Sequence, residues 1–334
     1  MFAIKYLDVL EKELKENVNN YRLKTIYVGG GTPTSLDDDL FFRLLKIIDP
    51  YAQNVEEYTF EANPESLSLK KIRYLRDFGV NRISLGVEST NDEILKSINR
   101  KHTFEDVKIA IQNLKDEGID NYNIDLILGL PHVSKELLIK DLDNVLSLSP
   151  KHISAYSLTI HPHTKFYLNK IKEPDNDYSR ELYEIVHKVL LEHGFVHYEV
   201  SNFALPGYES KHNFVYWNNE HYYGIGLSAA GYVDDKRYRN TDNLDKYLKG
   251  INEKEVEIVT LKDLEEYQIM LNLRTNKGLD LTLFNNIFNK DLYTMRKDVI
   301  DSYISSGHLY IKDNHLIATF SGMMILDRII LNLL

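Results

Sequence analysis

The sequence predicts an α/β fold built on a parallel sheet and followed by a small α+β module. Amphipathic helical stretches alternate with short β-rich runs from residue 1 to about residue 200. Most of the β-rich runs end in a glycine or proline punctuator, as in GGGTPT, EANPE, GVES and GLP. After Glu199 this rhythm is lost: residues 200–250 are loop-rich and aromatic, and 262–334 read as helices followed by a hairpin. A chain of 334 residues is long for one small core and suits a larger domain joined to a smaller one.

The first element is a helix over residues 1–18, with Ile4, Leu7, Leu10 and Leu14 at helical spacing. Charges run through it, which is not the layout of a signal peptide. Strands are predicted at 24–28, 58–61, 82–87, 122–128 and 152–158. A βα unit opens with a strand, so the first helix reads as the outer half of a unit whose strand is missing. The hairpin is HLYIKDNHLIATF, turning at Asp313-Asn314. The expected division is 1–200 for the barrel-type domain, 201–255 for a linker region and 256–334 for a C-terminal domain.

Composition narrows the function. With 43% hydrophobic and 27% charged residues, and no apolar run near the roughly 18 residues that a membrane span requires, the chain reads as a soluble, cytoplasmic protein. A net charge of −10 with no basic stripe argues against nucleic acid as a partner. There is no cysteine, which excludes disulfides, thiolate nucleophiles and cysteine-held clusters within these residues.

Ligand chemistry in βα folds gathers at the carboxyl ends of strands, where the punctuators stand. Gly29-Gly30-Gly31 lets the backbone approach a ligand and turn its N–H groups toward it, or else makes a tight strand-to-helix turn. Taken singly, Glu61 and Asp125 read equally as strand-end caps and Arg100 as a surface charge. His161 and His163 form an H-x-H pair with no third ligand nearby in sequence and read as loop residues rather than a metal site.

In order, GGGTPT, FEANPE, NRISLGVES, the Arg100-Lys101-His102-Thr103 run, NIDLILGLP and HISAYSLTI resemble the coproporphyrinogen oxidase-like radical S-adenosylmethionine (SAM) proteins, across nearly all of residues 1–330. The resemblance implies a partial (β/α)6 TIM-like barrel lacking its first strand, with SAM as cofactor. Gly30, Gly31 and Thr32 would hold the methionine end, and Glu61 would accept hydrogen bonds from its ammonium or ribose. Glu88, Arg100 and Asp125 would complete the pocket; a guanidinium suits a carboxylate because it offers paired donors in one plane. Two departures stand out. The family usually has Gln where this chain has Glu88, which adds a charge and removes a donor. The CxxxCxxC loop that holds the family's [4Fe-4S] cluster is absent along with the strand before it, and the expectation is a chain that starts at an internal Met.

His212-Asn213-Phe214-Val215-Tyr216-Trp217 looks like the HNxxYW signature of the HemW branch of that family, the haem chaperones. By itself the segment also reads as a loop histidine beside packing aromatics. The resemblance implies haem held by His212 as iron ligand with Asn213, Tyr216 and Trp217, since an imidazole ligates haem iron and large rings cover a porphyrin face. The implied function is delivery of haem to acceptor proteins, respiratory and membrane-associated enzymes among them, with a homodimer left open. The rivals are an oxygen-independent coproporphyrinogen III dehydrogenase and a cluster-free binding remnant.

Overall fold

The computed structural model describes residues 2–18, 22–162 and 164–334, so His163 of the H-x-H pair lies outside the described residues. The chain divides into two compact units: one of Arg22–His197 and Ser201–Glu209, the other of the N-terminal helix, Tyr198–Val200 and Ser210–Leu334. The helix is α1 (Phe2–Asn17). It had been expected as the outer half of a first βα unit, and its membership in the second unit has a polar cause. Glu13 is buried, and its carboxylate accepts from Gly226 N at 3.0 Å, Tyr247 Oη at 2.7 Å, Asn240 Nδ2 at 2.8 Å and Asn252 Nδ2 at 2.9 Å. A buried carboxylate is tolerated where its lone pairs are met, and the four donors all come from residues 226–252.

In the other unit, β1 (Thr25–Val28), β2 (Glu57–Ala62), β3 (Arg82–Glu88), β4 (Tyr122–Leu128) and β5 (His152–Ser157) pair in parallel, each with the next. With β6 (Val196–Glu199) and β7 (Asn202–Ala204), the sheet order is β1-β2-β3-β4-β5-β7-β6, and β7 runs antiparallel to β5. The five predicted strands are the five parallel ones. Between them lie α2 (Asp38–Ile48), α3 (Leu69–Asp77), α4 (Asp92–Ser97), α5 (Phe104–Asp116) and α6 (Lys135–Ser147), then α7 (Lys165–Leu168) and α8 (Asn176–Glu192) after β5. Their starts are written in the sequence: Asp37, Ser68, Asn91, Thr103, Ser134, Thr164 and Asp175 each cap a helix with a side-chain oxygen, and Thr103 with Asp106 forms a capping box.

Strand alternation separates the two faces of this sheet. Tyr58, Phe60, Ile83, Leu85, Ile124, Leu126 and Ile153 are almost fully buried on one face, with Phe41, Leu45, Ile72, Leu75 and Val107 of the helices also in the core. The other face is polar. Register places Thr59 beside Arg82, Glu61 beside Ser84, Asn123 beside His152 and Asp125 beside Ser154. A parallel sheet packed by helices on both faces would be apolar throughout, so this pattern marks a sheet curled around a polar interior.

The second unit continues with α9 (Lys211–Trp217), β8 (Ala230–Val233), β9 (Lys236–Arg239), α10 (Leu244–Leu248) and β10 (Glu255–Ile258), the strands ordered β10-β9-β8. Then come α11 (Leu261–Asn272), β11 (Leu279–Asp280), α12 (Leu281–Phe288), α13 (Leu292–Met295), α14 (Lys297–Ser305) and the predicted hairpin, β12 (Leu309–Lys312) and β13 (His315–Ala318). Asp313 and Asn314 turn it with φ of 49° and 61°, the left-handed pair that a two-residue hairpin needs. Its core holds Ile269, Leu273, Phe284, Ile300, Leu316 and Ile329. Among the described residues no helix is long and apolar enough to cross a membrane.

Candidate functional site

The carboxyl ends of β1 to β4 bring together the seven residues expected to hold SAM. Glu61 lies one residue before the end of β2 and faces the glycine turn: its Oε2 accepts from Gly30 N at 3.0 Å and its Oε1 from Tyr27 Oη at 2.9 Å. A Cβ at Gly29 would lie 2.3 Å from the Glu61 carboxyl carbon, so a larger residue there would push that carboxylate off the turn. Gly30 has φ +80°, open to glycine at no steric cost. Thr32 Oγ1 accepts from Asn63 Nδ2 at 3.2 Å, and Lys71, buried on α3, donates to the carbonyls of Thr34 at 2.6 Å and Leu36 at 2.7 Å. The turn after β1 is therefore stapled from two neighbouring segments. Burial pushes the Glu61 carboxyl above the usual range, against the bonds from Tyr27 and Gly30, and the charge of Asp125 pushes the same way. Asp125 is raised as well, by burial first, although it accepts from Asn123 Nδ2 at 2.6 Å and Ser84 Oγ at 3.2 Å.

Glu88 and Arg100 meet as a bidentate pair. Arg100 Nε donates to Glu88 Oε2 at 2.6 Å, and Nη2 contacts Oε1. Glu88 has φ +68°, at a shift of register between β3 and β4. Such a backbone persists only where its surroundings impose it. Here Asp141 of α6, itself buried, accepts from Ser89 Oγ at 2.8 Å and Thr90 N at 2.9 Å, fixing the two residues that follow. With Ile98, Asn99, Ile127, Leu130 and Phe166, the pair lines a cavity of about 300 Å³. Its lining thus joins apolar side chains to this ion pair.

The second motif lies in the other compact unit, on the short helix α9 rather than in a loop. Ser210 caps it, accepting from Asn213 N at 3.2 Å. Helical spacing puts His212 and Tyr216 on one face, with His212 Nε2 and Tyr216 Oη 2.7 Å apart. Tyr216 packs edge-on against Tyr222, their centroids 4.6 Å apart, and burial pushes its phenol up to about 12. The Trp217 indole nitrogen is buried and has no hydrogen-bond partner, while the Trp217 carbonyl accepts from Asn272 Nδ2 at 2.7 Å. An indole N–H buried without an acceptor is uncommon.

Sequence reasoning missed Tyr27, Asn63, Lys71 and Asp141. Tyr27 stands two residues before the glycines, and strand alternation could have placed it on the Glu61 face. Nothing local signals the others, since a lysine or aspartate on an amphipathic helix reads as a solvated charge. His161 is in a loop, as expected, and no three His, Asp or Glu side chains among the described residues cluster as a metal site.

The radical SAM superfamily pattern matches residues 3–145. A protein of Lactococcus lactis named "Heme chaperone HemW" is 38% identical over 91% of this chain and 83% of its own length. The Bacillus subtilis protein of the same name is 33% identical over 96% of this chain and 88% of its own. The fold is that of coproporphyrinogen III oxidase (HemN) from Escherichia coli, with a TM-score of 0.85 at 22% identity, covering 99% of this chain and 83% of that one. With the ordered motifs at the strand ends, the HNxxYW helix and relatives that match it along most of its length, this chain belongs to the HemW family of radical SAM proteins.

Proposed function

We propose that the protein is a haem chaperone, holding haem through His212 and passing it to haem-dependent acceptor proteins, respiratory enzymes among them. The observation that carries the reading is α9. It presents an imidazole and a phenol on one face and follows them with a tryptophan whose buried N–H has no partner. These donors fit a porphyrin with a ligatable iron and polar edges. The names of the relatives support the same reading. In the mechanism it suggests, His212 Nε2 leaves Tyr216 to hold the iron and returns to it when the cargo departs. Tyr216, Tyr222 and Trp217 supply ring surface.

The cavity beside Glu88 and Arg100 suits a nucleoside, with Ile98, Ile127, Leu130 and Phe166 as apolar surface for a flat base and Asn99, Glu88 and Arg100 as polar groups. We read it as one part of the SAM pocket of this family, the part lined by Glu88 and Arg100, with Gly30, Gly31, Thr32, Glu61 and Asp125 completing the pocket outside this cavity's own lining. The cluster is another matter: a [4Fe-4S] cluster of this family is held by thiolates, and these 334 residues contain no cysteine. These residues therefore offer no ligands for the cluster on which a radical step, and with it coproporphyrinogen dehydrogenation, depends.

A Soret titration of the wild type, His212→Ala and His221→Ala tests the chaperone reading. Haem should bind the wild type with a shifted Soret band. His212→Ala should weaken binding by on the order of tenfold and alter the band, because an iron–imidazole bond is directional and the surrounding rings retain porphyrin only by apolar contact. His221→Ala should behave as wild type. A wild-type chain that leaves the Soret band unmoved would overturn the proposal, and an effect of His221→Ala alone would overturn the ligand.

A further inference from the structure

We propose that Glu88 is a specificity-determining residue: an internal carboxylate that occupies Arg100, so that any nucleoside ligand bearing its own carboxylate must displace it. This rests on the nucleoside reading of the cavity. The observation behind it is the bidentate contact itself. Both Glu88 oxygens face the guanidinium, in the geometry by which an arginine grips a carboxylate-bearing ligand. The pair lines the cavity together with Ile127, Leu130 and Phe166, so the arginine that borders the ligand space is already engaged.

An ordinary surface ion pair would be a feeble competitor, since two long side chains must be ordered to make it. This pair differs. The Glu88 side chain is 10% exposed, and its backbone is held at φ +68° by the shifted register and by the Asp141 contacts to Ser89 and Thr90. The ordering is done by the fold, and little freedom is left to lose when the pair forms. The charges of Glu65 and Asp125 also act on Arg100, so a ligand carboxylate approaching it meets negative charge besides that of Glu88. A nucleoside whose side chain is neutral or cationic meets no such barrier. The pocket is thereby biased toward nucleosides without a free carboxylate, and toward SAM, whose sulfonium offsets its carboxylate, over the uncharged thioether S-adenosylhomocysteine.

Isothermal titration with two thioether nucleosides tests this. S-adenosylhomocysteine carries an amino-acid carboxylate; 5′-methylthioadenosine has the same base, sugar and sulfur without it. Glu88→Gln keeps the size and hydrogen-bonding reach of the side chain and removes its charge. It should tighten S-adenosylhomocysteine by about tenfold and leave 5′-methylthioadenosine within about twofold of wild type. Adding Arg100→Gln to Glu88→Gln should abolish the gain. If 5′-methylthioadenosine binds but Glu88→Gln leaves S-adenosylhomocysteine unchanged, or improves both ligands equally, the internal-ligand role is wrong and the nucleoside pocket stands. If neither nucleoside binds wild type or variant, the nucleoside reading fails and this role with it. Circular dichroism of each variant separates a lost site from a lost fold, and if Glu88→Gln does not fold, Glu88→Ala, which also removes the competing carboxylate, should give the same selective gain.

Discussion

His212 Nε2 and the hydroxyl of Tyr216 are 2.7 Å apart on one face of α9, so the nitrogen best placed to bind iron already has a partner within its own helix. Removing that partner should make ligation easier. A hydrogen bond of this kind contributes about 0.5–1.5 kcal/mol, so Tyr216→Phe is expected to tighten haem by roughly two- to tenfold and to slow its transfer to an acceptor such as apomyoglobin. Soret titration and stopped-flow transfer would check both; a weaker complex in Tyr216→Phe would instead mean that the phenol helps to hold the cargo.

The Glu13 carboxylate is the acceptor for four donors from residues 226–252. Glu13→Ala leaves buried donors without acceptors and should cost on the order of 3–5 kcal/mol in the unit that contains α1 and α9. Trp217 is the only tryptophan of the chain and belongs to that unit, so its fluorescence in a urea titration reports the effect directly. An unchanged fluorescence midpoint would show that α1 is held by its apolar face alone.

Lys71 ties the turn after β1 through the carbonyls of Thr34 and Leu36. Lys71→Met keeps the length and removes both donors. Faster amide exchange is expected across residues 30–36, with a loss of about 1–3 kcal/mol in global stability. Exchange that accelerates equally throughout the chain would argue against a local role.

Stability should fall as pH drops below neutrality. Burial lowers His152 well below its ordinary value of 6.5, with the Arg82 charge adding to the effect, and burial lowers His187. Each group is held neutral in the fold and binds a proton more readily when unfolded. The stability this represents is present above 6.5 and is lost as pH falls from there toward the folded-state value, by up to about 1.4 kcal/mol per pH unit for His152 and by less for the half-exposed, solvent-screened His187. His152→Gln should flatten the fall between pH 7 and pH 5 in thermal melts; an unaltered slope would assign the acid sensitivity elsewhere.

The sequence by itself determined the order of the elements and the chemistry at the strand ends. The five parallel strands, the Asp313-Asn314 turn and the glycine turn are local decisions, made by alternation, caps and backbone permissiveness. The seven residues expected to hold SAM could be named only through the resemblance of the ordered motifs: Gly30, Gly31 and Thr32 follow β1, Glu61, Glu88 and Asp125 lie on strands, and Arg100 follows α4. Which partner each charged side chain would take was decided only by the tertiary structure. Glu88 looks in sequence like a residue waiting for a ligand, and the shifted register of β3 turns it onto Arg100. Glu13 looks like one more solvated charge on an amphipathic helix, and it is buried because its four donors lie more than 200 residues away in the chain. Hydrogen bonds between distant residues leave no periodicity in the sequence, because nothing about a carboxylate's neighbours in the chain says which donor the fold will bring to it.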